Sequence, residues 1–149
     1  MNSKFLAAFL IIALVLIAGC SQQKQDIGTK KRIVGGALPA SPLVVKDQTV
    51  KDGTVAIEKA TSSGPGWISI RVQSDGAPGP SIGYAALTDG ENKNIVVKID
   101  ATKATATLYA VLHKDKGQAG VFEYPGPDTA VSSSDIVGEI VAPSFKATK

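Results

Sequence analysis

From residue 43 to 145 the chain repeats one pattern, short runs in which apolar and polar positions alternate, each closed by a cluster of Gly, Pro, Asp or Asn. Alternation with period two marks a strand with one buried and one solvated face, and here Val, Ile, Thr and aromatic residues fill the runs. No window keeps a 3.6-residue apolar period over the roughly ten residues that a helix needs. The pattern predicts strands over 43–46, 54–61, 67–73, 82–87, 94–99, 105–113, 121–124 and 137–145. Between them, "KDG", "SSGPG", "SDGAPGP", "TDGEN", "DATKA", "KDKGQAG" and "PGPD" carry the residues that tight connections demand. Turns at this spacing predict an all-β antiparallel sandwich, immunoglobulin-like or cupredoxin-like, forming one domain over residues 43–149.

Alternation also sorts the side chains. Val55 with Ile57, Ile68 with Ile70 and Val72, Ile95 with Val97 and Ile99, and Leu108 with Ala110 and Leu112 each share a strand face and are the expected core. The opposite faces carry Ser69 and Arg71, Lys98 and Thr107. On those outward faces Trp67 and Arg71 share one strand, Tyr109 and His113 another, and Tyr84 lies on a third. Aromatic rings on a flat sheet give large contact area at small entropic cost, so these five residues are the candidate binding face. The alternative for Trp67 is a core position, which tryptophan often takes in immunoglobulin-like sandwiches.

The first 42 residues break the pattern. A short polar start with Lys4 precedes an unbroken apolar run over 5–18, then Gly19 and Cys20. This is the layout of a secretory signal peptide over 1–19, and the run falls short of the ~20 residues of a membrane-spanning helix. Ile17, Ala18, Gly19 and Cys20 resemble the lipobox of prokaryotic lipoproteins, in which the cysteine is lipidated and becomes the first mature residue. That resemblance implies an anchor at Cys20, a membrane association through its lipid, and a location on the extracytoplasmic face, at the cell surface or facing a periplasm. The sole cysteine has no disulfide partner, which fits attachment better than structure. Residues 20–42 then read as a flexible tether, polar in "SQQKQDIGTKKR" and broken by Gly and Pro in "VGGALPASP".

Composition narrows the function. Of 16 basic residues only Lys4 falls within the signal peptide, and against 13 acidic ones the remainder is close to neutral. Outside "KKR" at 30–32 the basic residues are dispersed, so no nucleic-acid partner is implied. "RIVGG" at 32–36 looks like the activation sequence of trypsin-like proteases, but no "GDSGG" follows, and one histidine cannot restore the match. Blue copper needs two histidines and a cysteine, usually with methionine. With His113 the only histidine, Met1 the only methionine and Cys20 assigned to lipid, neither copper nor zinc is implied. The loop acids Asp75, Asp89, Glu91, Asp115 and Asp128 lack calcium-loop spacing. His113 and Asp115 are two apart and would share a face if the strand ran on, as a base and its orienter or as a surface ion pair. No nucleophile and base can otherwise be paired along the chain, so no enzyme activity and no cofactor are expected.

"GPGWISIRVQSDGAPGPSIGYAAL" (64–87) and "TLYAVLHKDKGQAGVFEYPGPD" (107–128) resemble an uncharacterised domain family of secreted and surface-attached proteins of archaea and bacteria. The similarity covers most of residues 48–146. It implies an extracellular β-sandwich, distantly cupredoxin-like, and no known activity. Two functions are therefore expected to compete: a lipid-anchored, noncatalytic module that binds a glycan or an envelope protein or structures the envelope, and an enzyme or cofactor carrier whose site the sequence does not reveal.

Overall fold

Two tight turns are set by adjacent residues. Asp52 with Gly53 and Asp75 with Gly76 adopt positive φ in pairs, 50° with 68° and 50° with 80°, the conformation that two-residue hairpins of type I′ demand. These turns sit in a computed structural model that describes residues 41–133 and 139–149. The expected signal peptide over 1–19, the lipid site at Cys20, the tether as far as residue 40 and the first residues of the strand expected over 137–145 lie outside the described residues.

Eight strands are found among the described residues: β1 (Leu43–Val44), β2 (Gln48–Thr49), β3 (Thr54–Ser62), β4 (Gly66–Ser74), β5 (Ala77–Leu87), β6 (Gly90–Lys98), β7 (Thr107–Lys114) and β8 (Ser144–Thr148). They form two sheets, one of order β1-β3-β6 and one of order β2-β8-β7-β4-β5. All pairings are antiparallel except β2 with β8. The expected all-β sandwich is thus the fold, and no helix long and apolar enough to cross a membrane occurs among the described residues.

Leu43, Val55, Ile57, Ile68, Ile70, Leu87, Val97, Ile99, Leu108, Leu112 and Phe145 close one core between the sheets. It holds nearly every side chain that alternation turned inward. In β3 the inward phase moves from Val55 and Ile57 to Ala60 and Ser62, and on the paired strand β6 Asn94 takes a φ of 51° at the same level. An asparagine tolerates that left-handed conformation better than most residues. On β5 two register shifts opposite Ile70 to Gln73 turn Ile82 inward as well. Gly83 there bridges Ile99, and a Cβ at this position would collide with the Lys98 carbonyl, so only glycine lets the edges of the two sheets meet.

Three expectations need correction. The stretch "SDGAPGP" is not all turn, because two residues suffice for the hairpin and β5 begins at Ala77. Pro78 and Pro80 are tolerated since β5 is an edge strand, where a missing N–H interrupts no ladder. Residues 121–124 form no strand. The edge of β7 that they would need is already taken: Ala110 and Leu112 donate to the carbonyls of Pro143 and Val141, and Lys114 donates to that of Thr129. The last strand is Ser144–Thr148, and Ile140 makes a single bridge to Ser132.

Candidate functional site

Strand β4 breaks the rule that gave the rest of the fold. Its residues Gly66 to Arg71 are buried without interruption, so both of its faces are covered. Ile68 and Ile70 point into the sandwich core. On the outer face Trp67 lies opposite His113, Ser69 opposite Val111 and Arg71 opposite Tyr109 across β7, with Ser69 opposite Tyr84 across β5. Trp67 and Arg71 are each 7% exposed, and Ser69, Val111 and His113 are 0% exposed. The chain between β7 and Val131 supplies the cover.

That covering segment folds around Asp128. Its carboxylate is fully buried and accepts hydrogen bonds from the backbone N–H of Lys116 (2.8 Å) and of Glu123 (2.7 Å). Asp115 accepts from the Gly120 N–H at 2.9 Å and Glu123 from the Gln118 N–H at 2.8 Å. Each acid thus satisfies an amide that the irregular backbone leaves without a strand partner. The result directs two rings onto the sheet. Phe122 packs against Trp67 (5.6 Å between centroids), Tyr84 (4.6 Å) and His113 (5.4 Å). Tyr124 lies 4.8 Å from His113, and its ring covers the Arg71 guanidinium at 4.2 Å. Tyr84 completes the cluster edge-on to Trp67 at 5.8 Å.

Under Phe122 and Tyr124, Ser69 Oγ and His113 Nε2 are 2.9 Å apart, and His113 Nδ1 is 3.2 Å from the Asp128 carbonyl oxygen. A carbonyl only accepts, so Nδ1 carries the proton and Nε2 accepts from the serine hydroxyl. The pairing has the outline of a nucleophile and its base. Both side chains are sealed from solvent, however, and the third group is a backbone carbonyl where a triad has a carboxylate. In this arrangement the pair fixes β4 to β7 and to the covering segment, and no substrate atom reaches it.

Burial pushes the His113 pKa below its ordinary value; the Arg71 charge acts the same way, against the Asp128 carbonyl and carboxylate. The unfolded chain therefore takes up a proton more readily than the folded one. Stability is full above the unfolded pKa of about 6.5 and falls as pH drops through it, levelling off below the lower native pKa, with a slope of at most ~1.4 kcal/mol per pH unit. Denaturant midpoints measured from pH 8 to pH 5 should show that decline. Because His113 is the only histidine, His113→Gln should flatten the profile between pH 7.5 and 5.5; an unchanged profile in the variant would mean that the ring does not cause it.

The five residues of the candidate binding face do share one face, as alternation predicts. Their exposure differs from expectation. Trp67, Arg71 and His113 are enclosed by residues 115–131, Tyr109 is half-buried with its hydroxyl donating to the Gly76 carbonyl at 2.7 Å, and Tyr84 is 54% exposed. Trp67 belongs to neither alternative weighed for it in full: it is buried, but on the far side of the sheet from the sandwich core. His113 does not pair with Asp115, whose carboxylate turns to Gly120. Sequence reasoning put Ser69 on the outward face and Asp128 among the loop acids without assigning either to the site, and it missed Phe122 and Tyr124. The available signal was the crowding of Phe122, Tyr124 and three prolines and glycines between 122 and 127 next to an acid, a composition too apolar for a solvated loop.

Among the described residues no three His, Cys, Asp or Glu side chains converge as metal ligands. A family model described as "Domain of unknown function (DUF7282)" matches residues 42–148. Both stretches that carried the resemblance to an uncharacterised domain family lie inside it. No curated protein and no solved structure matches the chain.

Proposed function

The chain belongs to the DUF7282 family, and from that premise we propose that it is a noncatalytic binding module, held at the extracytoplasmic face of a membrane through lipid on Cys20. The observation that carries the binding part is a ridge of exposed rings on an otherwise packed face: Tyr84 at 54%, Tyr124 at 37% and the neighbouring Val121 at 41% exposure, with Phe122 between the two tyrosines. Soluble proteins seldom leave large apolar groups contiguous unless a partner covers them, and tyrosines join apolar area to a polar tip that suits a glycan or a protein surface. The enclosed Ser69–His113 pair favours this reading over catalysis. The anchor is supported by the apolar run over 5–18 that ends at Gly19 and Cys20, since two or more acyl chains hold a protein on a membrane durably.

Two measurements test the two parts. Cys20→Ser should leave the membrane fraction for the soluble one or accumulate uncleaved; a variant processed to the same size and still sedimenting with membranes overturns the anchor. For the face, the protein should co-sediment with an envelope fraction or bind on a glycan array, and Tyr84→Ala should weaken that binding roughly thirtyfold, the effect of removing a ring worth about 2 kcal/mol. Binding indifferent to Tyr84 would place the contact elsewhere.

A further inference from the structure

Arg71 is buried without an acceptor. Its side chain is 7% exposed, its Nε is sealed from solvent with no hydrogen-bond partner, and among the described residues its guanidinium enters no ion pair. The two cross-strand neighbours are Ser81 and Tyr109. The Ser81 hydroxyl turns to the carbonyls of Gly83 and Ile70, and that of Tyr109 donates to Gly76. In the covering segment Asp128, Glu123 and Asp115 accept backbone amides, and the second Asp115 oxygen, Oδ1, is buried without a partner, so none of these three carboxylates pairs with Arg71. The one favourable partner is the Tyr124 ring at 4.2 Å, which attracts a cation but accepts no hydrogen bond in the plane of the guanidinium. Buried arginines are ordinarily paired because an uncompensated charge is poorly solvated there.

We propose that Arg71 anchors an anionic group of the ligand, with Tyr124 and Tyr84 offering their rings to the remainder, so that the module takes an acidic glycan in preference to a neutral one. The inference rests on the binding reading above and names the class of ligand. At its Nη end a guanidinium presents two parallel donors, a match for two oxygens of a carboxylate or a phosphate, while the covered Nε stays inside the fold. Those oxygens would supply the acceptor that the guanidinium lacks. Sugar rings place C–H groups against aromatic faces, and the exposed faces of Tyr84 and Tyr124 lie on the same side of the sheet as Arg71. A uronic acid and a phosphorylated sugar offer the same chemistry to this edge.

Titration of the full chain in detergent, at constant ionic strength, with tetragalacturonate, glucose 6-phosphate and maltotetraose tests this. At least one acidic probe should bind more tightly than the neutral one, its identity telling carboxylate from phosphate, and should shift the Arg71 Nε–H resonance. Arg71→Met, which keeps an unbranched apolar stem beneath Tyr124 and removes the charge, should lower that affinity at least tenfold, while Arg71→Lys, which keeps charge without the fork, should fall between. Equal binding of acidic and neutral probes, an unmoved Nε–H resonance, or undiminished acidic binding by Arg71→Met overturns the inference. Should Arg71→Met fail to fold, the resonance of the native arginine decides alone. Envelope binding that Tyr84→Ala abolishes and Arg71→Met leaves intact would overturn the anionic ligand and spare the binding module; absence of any envelope binding would overturn both.

Discussion

Trp67→Ala is expected to cost about 3 to 5 kcal/mol of folding free energy, the range for truncating a fully packed aromatic ring. The indole is held between Tyr84 and Phe122, at 5.8 and 5.6 Å, and faces away from the core between the sheets. Its removal would open a cavity under Phe122 and loosen the covering segment from β4. Denaturant unfolding of the variant measures the loss. A second variant separates packing from polarity: the indole N–H is buried without an acceptor, so Trp67→Phe surrenders no hydrogen bond and should cost under about 1.5 kcal/mol, as a swap that keeps most of the volume. A loss below about 1 kcal/mol in Trp67→Ala would show that the segment does not pack on the ring, and the exposed-platform reading of Trp67 would return.

Which parts of this arrangement the sequence disclosed depends on how local their cause is. The turns at Asp52–Gly53 and Asp75–Gly76 are set by two adjacent residues, and the inward positions of Ile68, Ile70, Leu108 and Leu112 by alternation within one strand, so the presence of both turns and those inward positions were legible. The shared outward face of Trp67, Arg71, Tyr84, Tyr109 and His113 was legible for the same reason. What covers that face was not, because it depends on whether a segment with no period folds back over a sheet. Period-two reasoning assigns the outward side to solvent, and here Phe122 and Tyr124 occupy it. The error over 121–124 has the same origin: an apolar run of four residues reads as a strand, yet an aromatic segment can bury its rings without ladder pairing when nearby carboxylates accept its amides. The Ser69–His113 bond joins residues far apart in sequence through the β4–β7 register, which no spacing along the chain encodes.

Asp128→Ala is expected to cost about 2 kcal/mol or more, because it leaves the partly buried amides of Lys116 and Glu123 without an acceptor, each at about 1 kcal/mol or more. Asp128→Asn keeps one accepting oxygen and should lose roughly half as much. The site of the damage matters more than its size. Nothing in β3 or β6 depends on this carboxylate, so the segment should open locally while the sandwich stays closed. Amide exchange at Lys116 and Glu123 should accelerate toward unprotected rates while Ile57 and Val97 keep their protection. The fluorescence of Trp67, the only tryptophan, should shift to the red as its cover lifts. Unchanged exchange at the two amides would mean that the rings alone hold the segment in place. Equal acceleration at Val97 would make the cover part of the global fold. Local opening would instead separate two duties of one sheet, an inner face that keeps the domain folded and an outer face whose cover can respond to what binds it. In that case the ridge of Tyr84 and Tyr124, the buried charge of Arg71 and the Ser69–His113 bond are all governed by one acid in the middle of the covering segment.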